Sequence, residues 1–330
     1  MMARSILVGL LVGLGMSSGH AADFTLRLNH TLPTTHLRQH DAELFKQMVA
    51  KATNNRVEVQ IFPAGQLYKS DTDAIKAVRG GAIEGAMVTT GDLALFAPAF
   101  NLYEVPFLIS NYNQLNAVLD SPVAGQILAK LEPVGVKGLV HTNAGSAIVL
   151  DKQRAIHTAD DMQGMRLRAS AGQMQIKAFE ALKVSAIQLP FGDIAPSLER
   201  GVIDGVLSTP SAFAATKLGS LVKFGTWTQQ QLFPPVIIVN LAWWNKLPPD
   251  VQSAINSVLK DYERQTRQMN TDEEAKALDD LKAQGVAVVQ LDAAGVASFK
   301  AKLAPLYADA KRLIGESLYD EAVKIIDATK

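Results

Sequence analysis

Apolar and polar residues alternate over Val57-Glu58-Val59-Gln60-Ile61, and Phe62-Pro63 closes the run. A period of two ending in proline predicts a strand that stops where the ladder loses its N–H donor. Ala186-Ile187-Gln188-Leu189-Pro190 predicts a second strand of this kind. Phe24-Thr25-Leu26-Arg27-Leu28 reads as the first strand, residues 37–53 as an amphipathic helix, and Val136 to Val140 as a further strand. Pro248-Pro249-Asp250 opens a long helix that runs to about Gln284, where Gly285 stops it. Val286 to Leu291 predicts a late strand, and the chain from Phe299 onward reads as helix with one break near Gly315.

The pattern contains an internal echo. Gly81-Ala82-Ile83-Glu84-Gly85 returns 120 positions later as Gly201-Val202-Ile203-Asp204-Gly205. Each copy predicts a helix, a glycine in the left-handed conformation, a short buried strand and a hydroxyl-rich loop, Thr89-Thr90 in one and Ser208-Thr209 in the other. Each also has a proline-terminated strand upstream. Strand–helix–strand units imply parallel sheets with right-handed crossovers, and ligands of open α/β sheets bind beyond the carboxyl ends of the strands. That rule places Asn29, the Pro63–Leu67 loop, Thr89 and Thr90 on one wall of a cleft. It places the 190–192 and 208–210 loops on the other.

The chain ends and composition narrow the function. Arg4, the apolar run Ile6 to Met16 and the small residues Ser17 to Ala21 read as a secretory signal spanning residues 1–22, cleaved after Ala21. The run is short for a membrane span, which needs about 20 apolar residues; a retained anchor is the alternative. The 330 residues hold no cysteine, which excludes disulfides, thiolate catalysis and lipid anchoring through cysteine. Lys plus Arg equals Asp plus Glu, 32 each, so the charge balance points to neither nucleic acid nor an anionic membrane. The length favours two lobes.

Five segments, in order, carry a resemblance. They are Ile61-Phe62-Pro63-Ala64-Gly65-Gln66-Leu67, Glu104-Val105-Pro106-Phe107-Leu108, Asp160 to Arg168 with its Gly-x-x-x-Arg ending, Glu199 to Gly205, and Trp244-Asn245-Lys246-Leu247-Pro248. Together they resemble the solute-binding proteins of tripartite ATP-independent periplasmic (TRAP) transporters, the DctP-like family, from Leu26 to about Ala322. The resemblance implies an α/β, two-lobe periplasmic binding protein fold (type II-like), with parallel and mixed sheets, a cleft between lobes and long crossing helices. On this reading residues 23–145 with about 234–273 form the first lobe, and 146–233 with about 274–330 the second. It implies a periplasmic carrier, not an enzyme, with no cofactor or bound metal. Its partners are a small organic acid and the membrane permease subunits of a TRAP transporter, with peripheral contact to membrane proteins and none to nucleic acid.

In the family the arginine matching Arg168 holds the ligand carboxylate. A guanidinium offers a planar two-pronged donor that an ammonium lacks. Asn29, Gln66, Thr89, Thr90 and Ser208 are candidates for neutral hydrogen bonds, and Phe107, Phe191 and Trp227 for apolar walls. Asp204 reads as a buttress of its own loop. Two positions depart from the sialic-acid branch: Ala147 where that branch has a second arginine, and Ser208 where it often has asparagine. The loss of a second fixed cation leans toward a monocarboxylate with an apolar, hydroxylated or aromatic remainder.

Rivals are thinner. His36 and His40 have the spacing of a helical metal pair and His30 lies near, which suggests a metal carrier, yet solvent-facing histidines at a helix start is the simpler reading. The one Gly-x-Ser-x-Gly match, Gly15 to Gly19, falls inside the signal segment, and no Walker loop or dinucleotide fingerprint occurs. A binding protein for an ATP-driven importer, or one presenting its ligand to a sensor, shares the fold and differs in partner.

Overall fold

The computed structural model describes residues 22–142 and 145–329. The apolar segment and the cleavage position at Ala21 lie outside the described residues. In chain order the strands are β1 (Phe24–Asn29), β2 (Val57–Phe62), β3 (Gly85–Val88), β4 (Val136–His141), β5 (Ser146–Asp151), β6 (Arg166–Ala169), β7 (Ser185–Gln188), β8 (Gly205–Ser208), β9 (Phe224–Leu232), β10 (Val236–Asn240) and β11 (Ala287–Gln290). They form two sheets, β2-β1-β3-β10-β4 in a first lobe and β11-β9-β5-β8-β6-β7 in a second.

The sequence echo is a repeated unit. β1 pairs in parallel with both β2 and β3, and β6 pairs in parallel with both β7 and β8. The register is the same in both: Leu28 faces Gly85 and Asn29 faces Ala86, while Leu167 faces Gly205 and Arg168 faces Val206. Gly81 and Gly201 take φ of +75° and +68°, the left-handed turn that β-carbon sterics penalise in other residues. The acid of each copy ties down its neighbouring strand. Glu84 accepts from Arg27 Nε (2.7 Å), Nη2 (2.7 Å) and backbone N (3.0 Å). Asp204 accepts from Arg166 Nε (3.0 Å), Nη2 (2.6 Å) and backbone N (3.0 Å). Asp204 is thus the buttress its position suggests, although what it holds is β6 as much as its own loop.

The echo also fixes where each sheet turns mixed. β10 runs antiparallel beside β3, and β5 antiparallel beside β8. Both repeat glycines sit at these junctions, where a partner backbone comes too close for a side chain. A β-carbon on Gly205 would lie 2.2 Å from the Leu150 carbonyl oxygen; on Gly85 the nearest backbone atom, the Ile238 oxygen, would be 3.0 Å away.

Two strand-to-strand crossings, one long helix and the C-terminal helices join the lobes. The chain passes from β4 to β5 and returns from β9 to β10. The helix Pro249–Ala283 has 35 residues, hence a length of about 52 Å at 1.5 Å per residue. It packs on the helix Leu37–Ala52 and β4 at one end, and on the helix Pro210–Thr216 and β11 at the other. Gly285 ends it at φ +89°, as the sequence implies. The C-terminal region breaks twice, because Pro305 starts a new helix where its missing N–H interrupts the ladder. Of the resulting helices, Ala293–Leu303 packs on the second lobe, Pro305–Ile314 touches both lobes, and Glu316–Ala328 packs on Tyr112–Asp120 and Pro122–Ala129 of the first. Among the described residues no helix is long and apolar enough to cross a membrane.

Gly205→Ala should lower unfolding free energy by more than about 3 kcal/mol, because the clash is with backbone. Gly85→Ala should cost clearly less, since its closest neighbour is the end of the Leu26 side chain at 2.8 Å. Urea unfolding of both variants checks the order.

Candidate ligand-binding site

β3 and β8 end at equivalent points in threonines that cap the next helix: Thr89 Oγ1 accepts from Asp92 N (3.5 Å), and Thr209 Oγ1 from Ala212 N (3.3 Å). Between these strand ends, where the switch-point rule puts a ligand, lies a cavity of about 340 Å³ walled by both lobes.

Arg168, at the cleft end of β6, is its central feature. Nε donates to the Leu189 carbonyl oxygen at 3.0 Å, which fixes the plane of the guanidinium. Among the described residues no acceptor lies within hydrogen-bond distance of its two terminal nitrogens. Burial opposes its charge, while the nearby carboxylates of Asp92 and Asp71 support it. The result is a half-buried cation with its terminal donors facing a cavity.

The first-lobe wall is rich in acids. Asp71 accepts from Thr31 Oγ1 (2.8 Å) and Thr89 N (2.9 Å), and Asp92 from Thr72 Oγ1 and Thr89 Oγ1 (2.6 Å). Burial, with Asp71 beside it, pushes the Asp92 carboxyl above its ordinary range. Glu104 lines the cavity more deeply, accepting from Thr90 Oγ1 and Gln231 Nε2, both at 2.6 Å. Burial raises its carboxyl to about 7.

The structure places the sequence candidates in two groups. Arg168, Thr89, Phe191 and Ser208 line the cavity. The other five do not. Asn29 is fully buried and braces the 63–69 loop, its Oδ1 accepting from Leu67 N and Tyr68 N at 3.3 Å each. Gln66 is exposed to solvent outside the cavity. Thr90 is spent on Glu104. Phe107 turns into the core against Phe299, with ring centroids 6.0 Å apart. Trp227 donates to Ser146 Oγ at 2.6 Å, and Ser146 in turn donates through N and Oγ to Glu274 of the long helix.

Arg38 was not anticipated. Buried on the cavity wall, it lies 3.7 Å from Asp71, so the site holds a second guanidinium although Ala147 removes the one expected by resemblance. The signal was present: Arg38 and Asp41 share the buried stripe of Leu37–Ala52 with Ala42, Phe45 and Val49. The histidines also differ from expectation. His30 and His36 are buried. His36 caps the helix, its Nδ1 accepting from Arg38 N at 2.9 Å, which leaves the hydrogen on Nε2, 3.4 Å from Ser211 Oγ across the cleft. His30 pairs with Gln39 at 2.9 Å. Among the described residues no group of three His, Cys, Asp or Glu side chains is arranged to hold a metal ion.

The profile of the bacterial extracellular solute-binding proteins, family 7 (DctP), matches residues 28–313. The chain belongs to this family. The 2,3-diketo-L-gulonate-binding periplasmic protein YiaO of Escherichia coli K12 is 26% identical over 291 residues, 88% of each chain. The C4-dicarboxylate-binding periplasmic protein DctP of Rhodobacter capsulatus is 26% identical over 326 residues, 96% of each chain. A crystal structure of a TRAP periplasmic solute-binding protein from Ralstonia eutropha H16 superposes with a TM-score of 0.87 at 27% identity, covering 92% of this chain and 99% of that one. DctP-family proteins are substrate-binding subunits, not enzymes; they bind small organic acids and work with TRAP permeases. The fold is therefore the two-lobe one that the resemblance implied, and the family is periplasmic.

Glu104 gives this DctP-family protein a pH signature. Its carboxyl titrates near 7 folded against an ordinary value of 4.5, so between these values the folded state holds the extra proton. Stability contributed by protonated Glu104 is full below about pH 4.5 and is lost as pH rises through 7. The gap corresponds to about 3 kcal/mol at most. Urea unfolding at pH 5 and pH 8 should show wild type losing more stability over that rise than Glu104→Gln, whose amide stays neutral.

Proposed function

We propose that the protein captures a small organic acid, most simply a monocarboxylate, by pairing its carboxylate with Arg168, and delivers it from the periplasm to a TRAP permease. The observation that carries this is the guanidinium whose terminal nitrogens face a two-lobed cavity without a protein acceptor. A carboxylate satisfies both nitrogens at once and neutralises the buried charge. The relatives agree in chemistry: one is named for a diketo-gulonate, one for C4-dicarboxylates, and the Ralstonia structure holds (S)-2-acetolactate. Thr89 and Ser208 then supply neutral contacts, with Phe191 as an apolar wall.

In this reading the two lobes close over the ligand about the chain crossings that leave β4 and β9. Closure is stabilised by as much as the ligand prefers the closed state. Residues 23–145 and 234–273 move as one body and 146–233 with the following segment as the other, with Glu316–Ala328 travelling with the first lobe on which it packs. The seam is tight: a β-carbon on Gly172 of the second lobe would lie 3.1 Å from the α-carbon of Gly91 in the first.

A thermal-shift screen of refolded protein against an organic acid panel tests the reading. An acid at 100 times its Kd adds about 2.7 kcal/mol, a shift of a few degrees. In calorimetry Arg168→Ala should weaken that acid by about 2–5 kcal/mol, and Arg168→Lys should not restore it. A panel that shifts nothing, or an Arg168→Ala variant that binds as before, refutes the proposal. Gly172→Val, which wedges the seam, should weaken binding about tenfold or more while leaving unfolding in the absence of ligand close to wild type.

A further inference from the structure

The cavity is chemically lopsided. On the second-lobe side Arg168 presents donors, and Gln175, whose Oε1 is taken by Ser170 N and Oγ, has its amide hydrogens without a protein acceptor among the described residues. The facing first-lobe patch is the reverse. Thr31 donates its hydroxyl hydrogen to Asp71, and Thr72 and Thr89 donate theirs to Asp92. A hydroxyl has one hydrogen to give, so each of these threonines has only lone pairs left, and an ionised carboxylate accepts without donating. Three committed hydroxyls and two carboxylates therefore make a patch that accepts and does not donate.

We infer that the ligand is a hydroxylated monocarboxylate: its carboxylate lies on Arg168, and hydroxyls on the rest of its skeleton donate into the Asp71–Asp92–threonine patch. This rests on the Arg168 reading above and narrows it. A second carboxylate at the patch would set acceptor against acceptor and anion against anion, which excludes a compact dicarboxylate from that position. Arg38, 3.7 Å from Asp71 and with its Nε without a hydrogen-bond partner, offsets the charge of that aspartate but leaves Asp92 and the three threonine hydroxyls as acceptors. Lys69, the other first-lobe cation at the cavity, is exposed, and the charges that act on Asp92 are those of Asp71 and Arg168. An ammonium is the other donor group an acid can carry. Each aspartate already faces a guanidinium, so neither is a bare anion awaiting a cation, and an ammonium there would be repelled by Arg38 and Arg168. An unsubstituted acid would leave buried acceptors without donors, the loss that makes hydrogen-bonding pockets reject deoxy analogues.

The test is calorimetry on the refolded protein with four-carbon and six-carbon acids matched in length: unsubstituted, polyhydroxylated, ω-amino and α,ω-dicarboxylate. The polyhydroxylated acid of one length should bind at least about 100-fold more tightly than its three counterparts. Thr72→Val, which removes one acceptor and frees one oxygen of Asp92, should shrink the hydroxylated-to-unsubstituted ratio about tenfold, with far-UV circular dichroism and Tm reporting that it folds. If a dicarboxylate, an ω-amino acid or an unsubstituted acid binds as well as the hydroxylated one, and does so through Arg168, this inference falls and the carrier reading stands. If no acid of any type binds, or binding survives Arg168→Ala, the carrier reading itself falls. If Thr72→Val folds and leaves the ratio unchanged, the patch is not what reads the hydroxyls.

Discussion

A half-buried guanidinium governs this molecule. Arg168 sits at the end of a buried strand, is fixed by one carbonyl and has its terminal nitrogens without a protein acceptor. Such a group is tolerable only if something offsets its lost hydration, and here the offset is split. Asp71 and Asp92 act from across the cleft, near enough to support the charge and not bonded to it. That is an incomplete neutralisation by design of the fold: it holds the cation ionised between ligands and leaves its fork open. A direct salt bridge to either aspartate would stabilise the empty protein and compete with every anionic ligand.

The repeated unit explains how Arg168 comes to its place. Arg27-x-Asn29 and Arg166-x-Arg168 occupy the same register in the two copies, facing Ala86 and Val206 respectively at their last residue. The first arginine of each pair is clamped by the acid of the echo, and this anchors the strand. The last residue then points to the cleft end. In the second lobe it is Arg168, the proposed anchor. In the first it is Asn29, which turns to hold the 63–69 loop. One backbone frame thus puts a cavity-facing guanidinium at the strand end of one lobe and a loop brace at the equivalent place in the other.

The same frame shows why parts of the site could be read from sequence. The helix–glycine–strand–acid–glycine echo reports local constraints, a left-handed turn and a close backbone approach, and both occur where the glycines fall. Arg168 was legible because a strand end beside a topological switch is a short-range fact. The candidates that do not line the cavity miss it through rotation and distance. Thr90 neighbours Thr89 in sequence, yet it is buried behind the cavity wall with its hydroxyl taken by Glu104. Phe107 follows a proline near the cleft, but its φ of +60° directs the ring into the C-terminal helices, which lie almost 200 positions away in sequence. Arg38 was hidden for the opposite reason: a charged residue on a helix is read as solvated, and only its place on the apolar stripe marks it as buried.

Movement of the lobes must be reconciled with how firmly they are tied. Ser146, the first residue of β5 after the crossing, donates twice to Glu274 of the long helix and accepts from Trp227 of β9. Gly145, at φ +107°, passes so close that a β-carbon there would lie 3.1 Å from the Glu274 carboxylate. The long helix therefore grips the crossing segment at the second-lobe side, while its first half packs on Leu37–Ala52. A rotation about the crossings cannot leave this helix undisturbed. Either it stays straight with the first lobe and Glu274 loses its donors, or the Glu274 foothold turns with the second lobe and the helix bends. Because a buried carboxylate stripped of its donors is costly, the second course is the cheaper one, and in the proposed closure the bend falls on the short stretch between Asn270, which donates to Asp41 of the first lobe, and Glu274.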